Sequence, residues 1–226
     1  MQEHCVFVIG KGWKYGWMIG LLLLSLSNLQ AQEVTYRVML DPGHGGRDPG
    51  QLSSDPDTYF HERDITLRIA EKVAAYINER LPRAKAYLTR YADSTVSLES
   101  RAWQANTLPA DVFVSIHCNS NPLTDIKGTR VHIQSREFTS SLRLAELLRD
   151  QFADRARRYD MGLHTFHDRG YNLYVLKYTE MPAVLVEVGF LSHADEERYL
   201  NSEYGQDIIA SAIFRALRSF REVLGR

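Results

Sequence analysis

The chain has 226 residues, 44% of them hydrophobic and 24% charged, with a formal net charge of −1. That balance describes an ordinary globular chain and excludes the disordered and collagen-like classes. It carries no basic surplus, so neither nucleic acid nor an anionic membrane surface is expected as a partner.

Read from the N-terminus, the first feature is a leader. Lys11 and Lys14 in "KGWKYGW" precede the apolar run "MIGLLLLSLSNL", and small Ala31 follows at a plausible cut. This is the pattern of a secretory signal peptide over residues 1–31. The run is shorter than the roughly 20 residues that span a bilayer, so no stable membrane insertion is expected after cleavage. Cys5 precedes the run, which leaves no acceptor for lipid attachment beyond it. The mature chain would keep only Cys118, so no internal disulfide can form. The expected destination is exported: periplasmic or associated with the cell wall.

From residue 34 to 226 there is no repeat, low-complexity tract or Pro/Ser-rich linker, which predicts one domain. "YRVMLD" reads as the first strand. Ile65, Ile69, Val73 and Ile77 then recur every four residues, with Asp64 at the start and Pro82 beyond the end, predicting an amphipathic helix. "AKAYLT" is the second strand, and "SLESRAWQAN" a helix with Ser97 as N-cap and Glu99 in its first turn. "DVFVSIH" and "GTRVHIQ" are strands, followed by a helix within 140–159 marked by Leu144, Leu148 and Phe152. "YNLYVLK" and "AVLVEVGF" are read as the last two strands, and Ile209, Ile213, Leu217, Phe220 and Leu224 mark a C-terminal helix. Strands alternating with helices predict an α/β sheet covered on both faces.

In such sheets, ligands gather at the carboxyl ends of strands. His44 stands between glycines in "PGHGG" directly after the first strand, and His117 stands where "DVFVSIH" gives way to polar "CNSN". Glu62, in "HERD", is placed just before the first helix, and Glu187 sits inside the apolar strand "AVLVEVGF". Two imidazoles and a carboxylate, with one position left to water, are the donor set of a catalytic zinc site, and a second carboxylate can move the proton. Burying Glu187 among apolar neighbours is costly unless it has a partner. Each residue also has a plainer reading. A lone His after a strand is more often a satisfied polar group, and a Glu before a helix complements the dipole.

The blocks "VMLDPGHGGRDPG", "HERDITLRIAEKVAAYI", "LTRYADSTVSLESRAWQAN", "DVFVSIHCNS", "KGTRVHI" and "MPAVLVEVGFLSHADEERYL", in this order, resemble the zinc-dependent N-acetylmuramoyl-L-alanine amidases of the Amidase_3 family. The resemblance runs over residues 36 to about 223. It implies a single α/β domain, here 34–226, with a twisted, mixed, mainly parallel sheet of about six strands and helices on both faces. It implies zinc held by His44, Glu62 and His117, with Glu187 as the catalytic carboxylate. The implied activity is that of a peptidoglycan hydrolase: zinc-activated water cleaves the amide between N-acetylmuramic acid and the L-alanine of the stem peptide. The partner implied is peptidoglycan, as muramyl peptides. The alternatives are a zinc peptidase acting on the stem peptide itself and a non-catalytic wall-binding regulator.

Beside the four residues, His61 is expected to lie outside the ligand set, Asn119 to shape the site or cap a turn, and Cys118 to be buried and inert. Arg90 and Arg101 are expected as partners for carboxylates. His164 and His167 are placed in a substrate-facing loop, with solvation the leading expectation for both. The short segment between "VHIQ" and "YNLYVL" leaves no room for an extra inhibitory helix. That predicts an open cleft active without help, with an activator protein as the partner to test.

Overall fold

The computed structural model describes residues 33–226, and Val34–Arg226 form one compact unit. The expected signal peptide lies outside the described residues. A six-stranded sheet has the order β2-β1-β3-β6-β4-β5. Its strands are β1 (Tyr36–Pro42), β2 (Ala84–Leu88), β3 (Val112–Asn119), β4 (Thr129–His132), β5 (Asp160–His164) and β6 (Ala183–Phe190). The pairs β1/β2, β1/β3, β3/β6 and β4/β5 are parallel, and β4/β6 is antiparallel.

Seven helices cover the described sheet: α1 (Glu62–Arg80), α2 (Leu98–Thr107), α3 (Thr139–Asp154), α4 (Phe166–Arg169), α5 (Tyr174–Lys177), α6 (Ala194–Asn201) and α7 (Glu203–Val223). The pleat divides the strand residues between two cores. Val38, Leu40, Val114, Ile116, Val184 and Val186 point to one face, where they meet the apolar stripes of α1, α3 and α7. Met39, Phe113, Ala183 and Leu185 point to the other, under α2 and α5. None of the described helices is long and apolar enough to cross a membrane.

Several expectations require correction. "YNLYVLK" is not a strand; its residues 174–177 form the single helical turn α5. Val175 and Leu176 are consecutive and both buried on the same core, which a helical turn allows and an alternating strand does not. The remaining strand of the six is instead "DMGLH", β5, an edge strand with every residue half-buried and neither alternation nor β-branching to announce it. The Asp160 carboxylate accepts from Gly162 N at 2.9 Å and pairs with Arg149, which fixes this segment beside β4. His164 therefore lies on β5 and His167 in α4, rather than in a loop. Helix α3 stops at Asp154, short of the predicted 159, and Arg157 then turns left-handed at φ 51°. Helix α6 was not predicted.

Candidate functional site

The site builds on the face that carries Met39 and Phe113, at the carboxyl ends of β1, β3 and β6. Pleat alternation sends Ile116 and Cys118 of β3 into the larger core and leaves His117 on the opposite face. Glu187 is its direct neighbour in register on β6, so both side chains rise side by side from the sheet.

His44 arrives from the loop after β1, at φ 62°, followed by Gly45 at 122° and Gly46 at 62°. A left-handed histidine costs on the order of 1 kcal/mol or more and persists only where its surroundings impose it. Here Arg101 donates to His44 O at 2.6 Å and to Pro42 O at 2.7 Å, while Arg90 donates to Pro42 O at 3.0 Å and Gly43 O at 2.9 Å. Arg101 is itself anchored on buried Asp41 at 2.7 Å, as expected; Arg90 holds backbone carbonyls instead of the carboxylate expected for it.

Glu62 is the first residue of α1 rather than a residue before it, two positions upstream of the predicted start. His61 takes the N-cap position without a side-chain cap bond, and its Nδ1 accepts from Ser53 N at 3.1 Å, away from the cluster. Glu62 Oε2 accepts from Gln51 N at 2.8 Å and Oε1 from Cys118 N at 2.9 Å, so the carboxylate is held from two sides.

The three donor atoms converge. His44 Nε2 lies 3.1 Å from Glu62 Oε1, His117 Nδ1 lies 3.1 Å from the same oxygen, and the two imidazole nitrogens are 3.2 Å apart. Ligands about 2.0–2.1 Å from a tetrahedral ion stand roughly 3.3 Å from one another, so the triangle already has the size of three zinc ligands. The set is one that could hold a metal. His44 Nδ1 donates to Asp48 Oδ2 at 2.8 Å, which orients the ring and turns Nε2 inward toward Glu62 and His117. Sequence reading missed Asp48, although its position four residues after His44 within "HGGRDPG" was the available signal. The glycines make room for the three donor side chains: a Cβ on Gly43 would lie 2.3 Å from the His117 ring, and one on Gly50 would lie 2.5 Å from Glu62 Oε2 and 2.6 Å from His44 Cδ2.

Electrostatics separate the two carboxylates. Burial disfavours the Glu62 anion, but hydrogen bonds and charge from His117 and His44 overcome it and hold the group well below the usual carboxylate range. Burial likewise pulls His44 down, and Glu62 and Asp48 override it, raising the imidazole to about 9. For Glu187, burial wins and pushes the carboxyl up to about 7; its Oε2 is sealed from solvent with no hydrogen-bond partner. Buried Cys118 is pushed up as a thiol by burial, so it is inert here. Asn119 Oδ1 accepts from Ser120 N at 2.8 Å, the turn-capping role. A cleft of about 540 Å³ opens over His44, Asp48 and His117, walled by Leu98 of α2 and by Leu173 and Tyr174 at the start of α5.

An α/β sheet carrying a His-Glu-His triangle beside an unpartnered carboxylate, under a cleft lined by His44 and His117, has the donor set that hydrolases of the metal-assisted class use. The chain belongs to the Amidase_3 family, N-acetylmuramoyl-L-alanine amidase, whose model matches residues 38–219. It is 32% identical over 188 residues to the N-acetylmuramoyl-L-alanine amidase LytC of Bacillus subtilis, covering 83% of this chain and 36% of that protein. Among solved structures, the N-acetylmuramoyl-L-alanine amidase from Clostridium difficile 630 superposes with a TM-score of 0.77 at 31% identity, covering 84% of this chain and 98% of that one. The CwlD amidase from Clostridioides difficile, solved in complex with the GerS lipoprotein, has a TM-score of 0.73 at 27% identity, covering 83% of this chain and 99% of that one. The protein is thus an amidase of the peptidoglycan-hydrolase type.

Proposed function

We propose that His44, Glu62 and His117 hold a catalytic zinc ion and that Glu187 is the proton carrier for hydrolysis of the amide joining N-acetylmuramic acid to the L-alanine of the stem peptide. One observation carries this reading: three donor atoms at 3.1–3.2 Å from one another, with the Glu187 carboxylate beside His117 in register. When bound, zinc supplies Lewis-acid polarisation of the scissile carbonyl and acidifies water. Glu187 accepts a proton from the attacking water and returns it to the departing amine, for which its raised pKa of about 7 is suited. Asp48 keeps His44 in its working tautomer, and Leu173 and Tyr174 bound the space in which the substrate amide is oriented.

The action is proposed to be on the exported side, at the cell wall, where the leader read from residues 1–31 would deliver the enzyme. Helix α3 packs with α7 on the face opposite the site, and none of the described helices plugs the cleft. The protein is therefore expected to act without an activator, and dependence on a protein partner, by analogy with CwlD and GerS, is the alternative.

The test pairs metal analysis with mass spectrometry of digested peptidoglycan, for wild type and Glu187→Gln. The expected result is about one zinc per chain in both, with stem peptides bearing a free L-alanine amine released by the wild type alone. Products that leave amino acids on the muramic acid would replace this reading with that of a peptidase.

A further inference from the structure

Arg130 faces Glu187 across the antiparallel β4/β6 ladder, on the site's face of the sheet. The two opposite charges do not pair. The Arg130 guanidinium makes no hydrogen bond among the described residues, its Nε is sealed from solvent, and Glu187 Oε2 is equally unpartnered. A half-buried arginine facing a carboxylate would ordinarily close on it in a bidentate pair. Here the pair stands open: no hydrogen bond joins the two, although they are direct neighbours in register.

Basic side chains continue along the same face beyond Arg130. His132 lies two residues along the same face of β4, opposite His164 of β5, with the rings in edge contact at 5.7 Å. Arg169 Nη1 reaches His132 Nδ1 at 3.2 Å and His164 O at 2.9 Å. Burial, followed by the positive charge of Arg169, His164 and Arg130, holds His132 neutral, down to about 3. The acids nearby are engaged elsewhere or belong to the site: Asp168 accepts from Thr165 N and Oγ1 at 2.6 and 2.8 Å, and Glu187 is the proton carrier. Beyond β6, the same face of the sheet thus carries an arginine whose guanidinium no carboxylate among the described residues meets at hydrogen-bond distance.

We propose that Arg130 is the anchor of an anion subsite that recognises a carboxylate of the stem peptide next to the scissile amide. The inference rests on the amidase reading above and deepens it. The second residue of the stem is a glutamate joined through its γ-carboxyl, so its α-carboxylate is free, one residue from the bond that breaks. A diamino acid at the third position can present a second carboxylate. Arg130 supplies the planar fork that matches either one, and the neutral His132 behind it leaves the guanidinium as the charge that the ligand meets.

The experiment compares zinc-loaded wild type, Arg130→Gln and Arg130→Lys on two substrate pairs. The first is N-acetylmuramoyl-L-alanyl-D-glutamate against its α-amide, which differ by one carboxylate at the second residue. The second is the muramyl tripeptide ending in diaminopimelate against that ending in lysine. Loss of a charge-assisted hydrogen bond corresponds to about 10- to 100-fold. Wild type is expected to prefer the carboxylate form of one pair by that factor, mainly through KM. Arg130→Gln should abolish the preference, with zinc content and melting temperature little changed, and Arg130→Lys should restore part of it. The pair that shows the preference identifies the carboxylate. Wild-type cleavage of all four substrates without preference, or a preference that survives Arg130→Gln, overturns the subsite while leaving the amidase reading intact. Absence of cleavage of any of them by zinc-loaded wild type overturns the amidase reading and the subsite with it.

Discussion

Replacing Glu187 by Gln should inactivate the enzyme and stabilise its metal-free fold at alkaline pH. The substitution keeps the shape and removes the ionisable group. Burial raises the Glu187 pKa from 4.5 to about 7, with His117 lowering it and Glu62 raising it in smaller measure. A carboxyl raised in the fold carries no ionisation cost at low pH. The cost grows as the pH rises past the unfolded value and levels off above the folded one. At about 1.4 kcal/mol for each pH unit between the two values, the cost reaches about 3 kcal/mol at pH 8 and falls below about 1 kcal/mol at pH 5. For a domain of this size the pH 8 figure corresponds to a rise in Tm of roughly 6–12 °C. The assay is denaturant unfolding of chelator-treated wild type and Glu187→Gln at both pH values. Comparing the two pH values cancels the pH-independent effect of a buried amide. Equal stability differences at pH 5 and pH 8 would refute the claim that Glu187 is held against its own ionisation.

Gly43→Ala and Gly50→Ala should each weaken zinc binding by at least about tenfold, the scale at which disturbed ligand support is felt, although neither glycine offers a ligand. The added Cβ would lie 2.3 Å from the His117 ring in the first and 2.5 Å from Glu62 Oε2 in the second. Gly170→Ala is the control, with φ +77° and nothing within 4 Å of its Cβ, and zinc titration should find its affinity unchanged. Asp41→Asn should destabilise the domain by about 3–5 kcal/mol, because it strands a buried guanidinium. Asp41 accepts from Arg101 at 2.7 Å, Ser115 at 2.7 Å and Thr89 at 2.6 Å. Burial raises its pKa, but Arg101 and these bonds outweigh burial and lower it, so the stability it provides is present above the unfolded value of 3.8 and lost as pH falls below it. Unfolding free energies of wild type and variant, followed as the pH is lowered, should converge at the lowest pH, and a gap that persists there would refute the assignment.

Much of this protein was legible along the chain because the signals are local. The four-residue spacing of Ile65, Ile69, Val73 and Ile77 gives α1 its buried stripe, and Ser97 caps α2 by accepting from Ser100 N at 3.2 Å. The buried runs in β1, β3 and β6 contain enough apolar and β-branched residues to declare themselves. His44 and His117 could be singled out because each stands where an apolar strand run gives way to polar residues, Glu187 because it interrupts an apolar strand, and Glu62 because it stands at the start of a helix. What sequence could not supply is where a segment finds its partner. "DMGLH" becomes a strand because β4 leaves an edge open, and "YNLYVLK" becomes a helical turn because Val175 and Leu176 must both reach Phe113 and Leu185. The meeting of three donor atoms at 3.1–3.2 Å, the orphaned Glu187 carboxylate and the open Arg130 opposite it depend on strand register. Periodicity is written residue by residue, whereas register and convergence arise only when elements distant in the chain pack against one another, so the residue types came from the sequence and their chemistry from the tertiary structure.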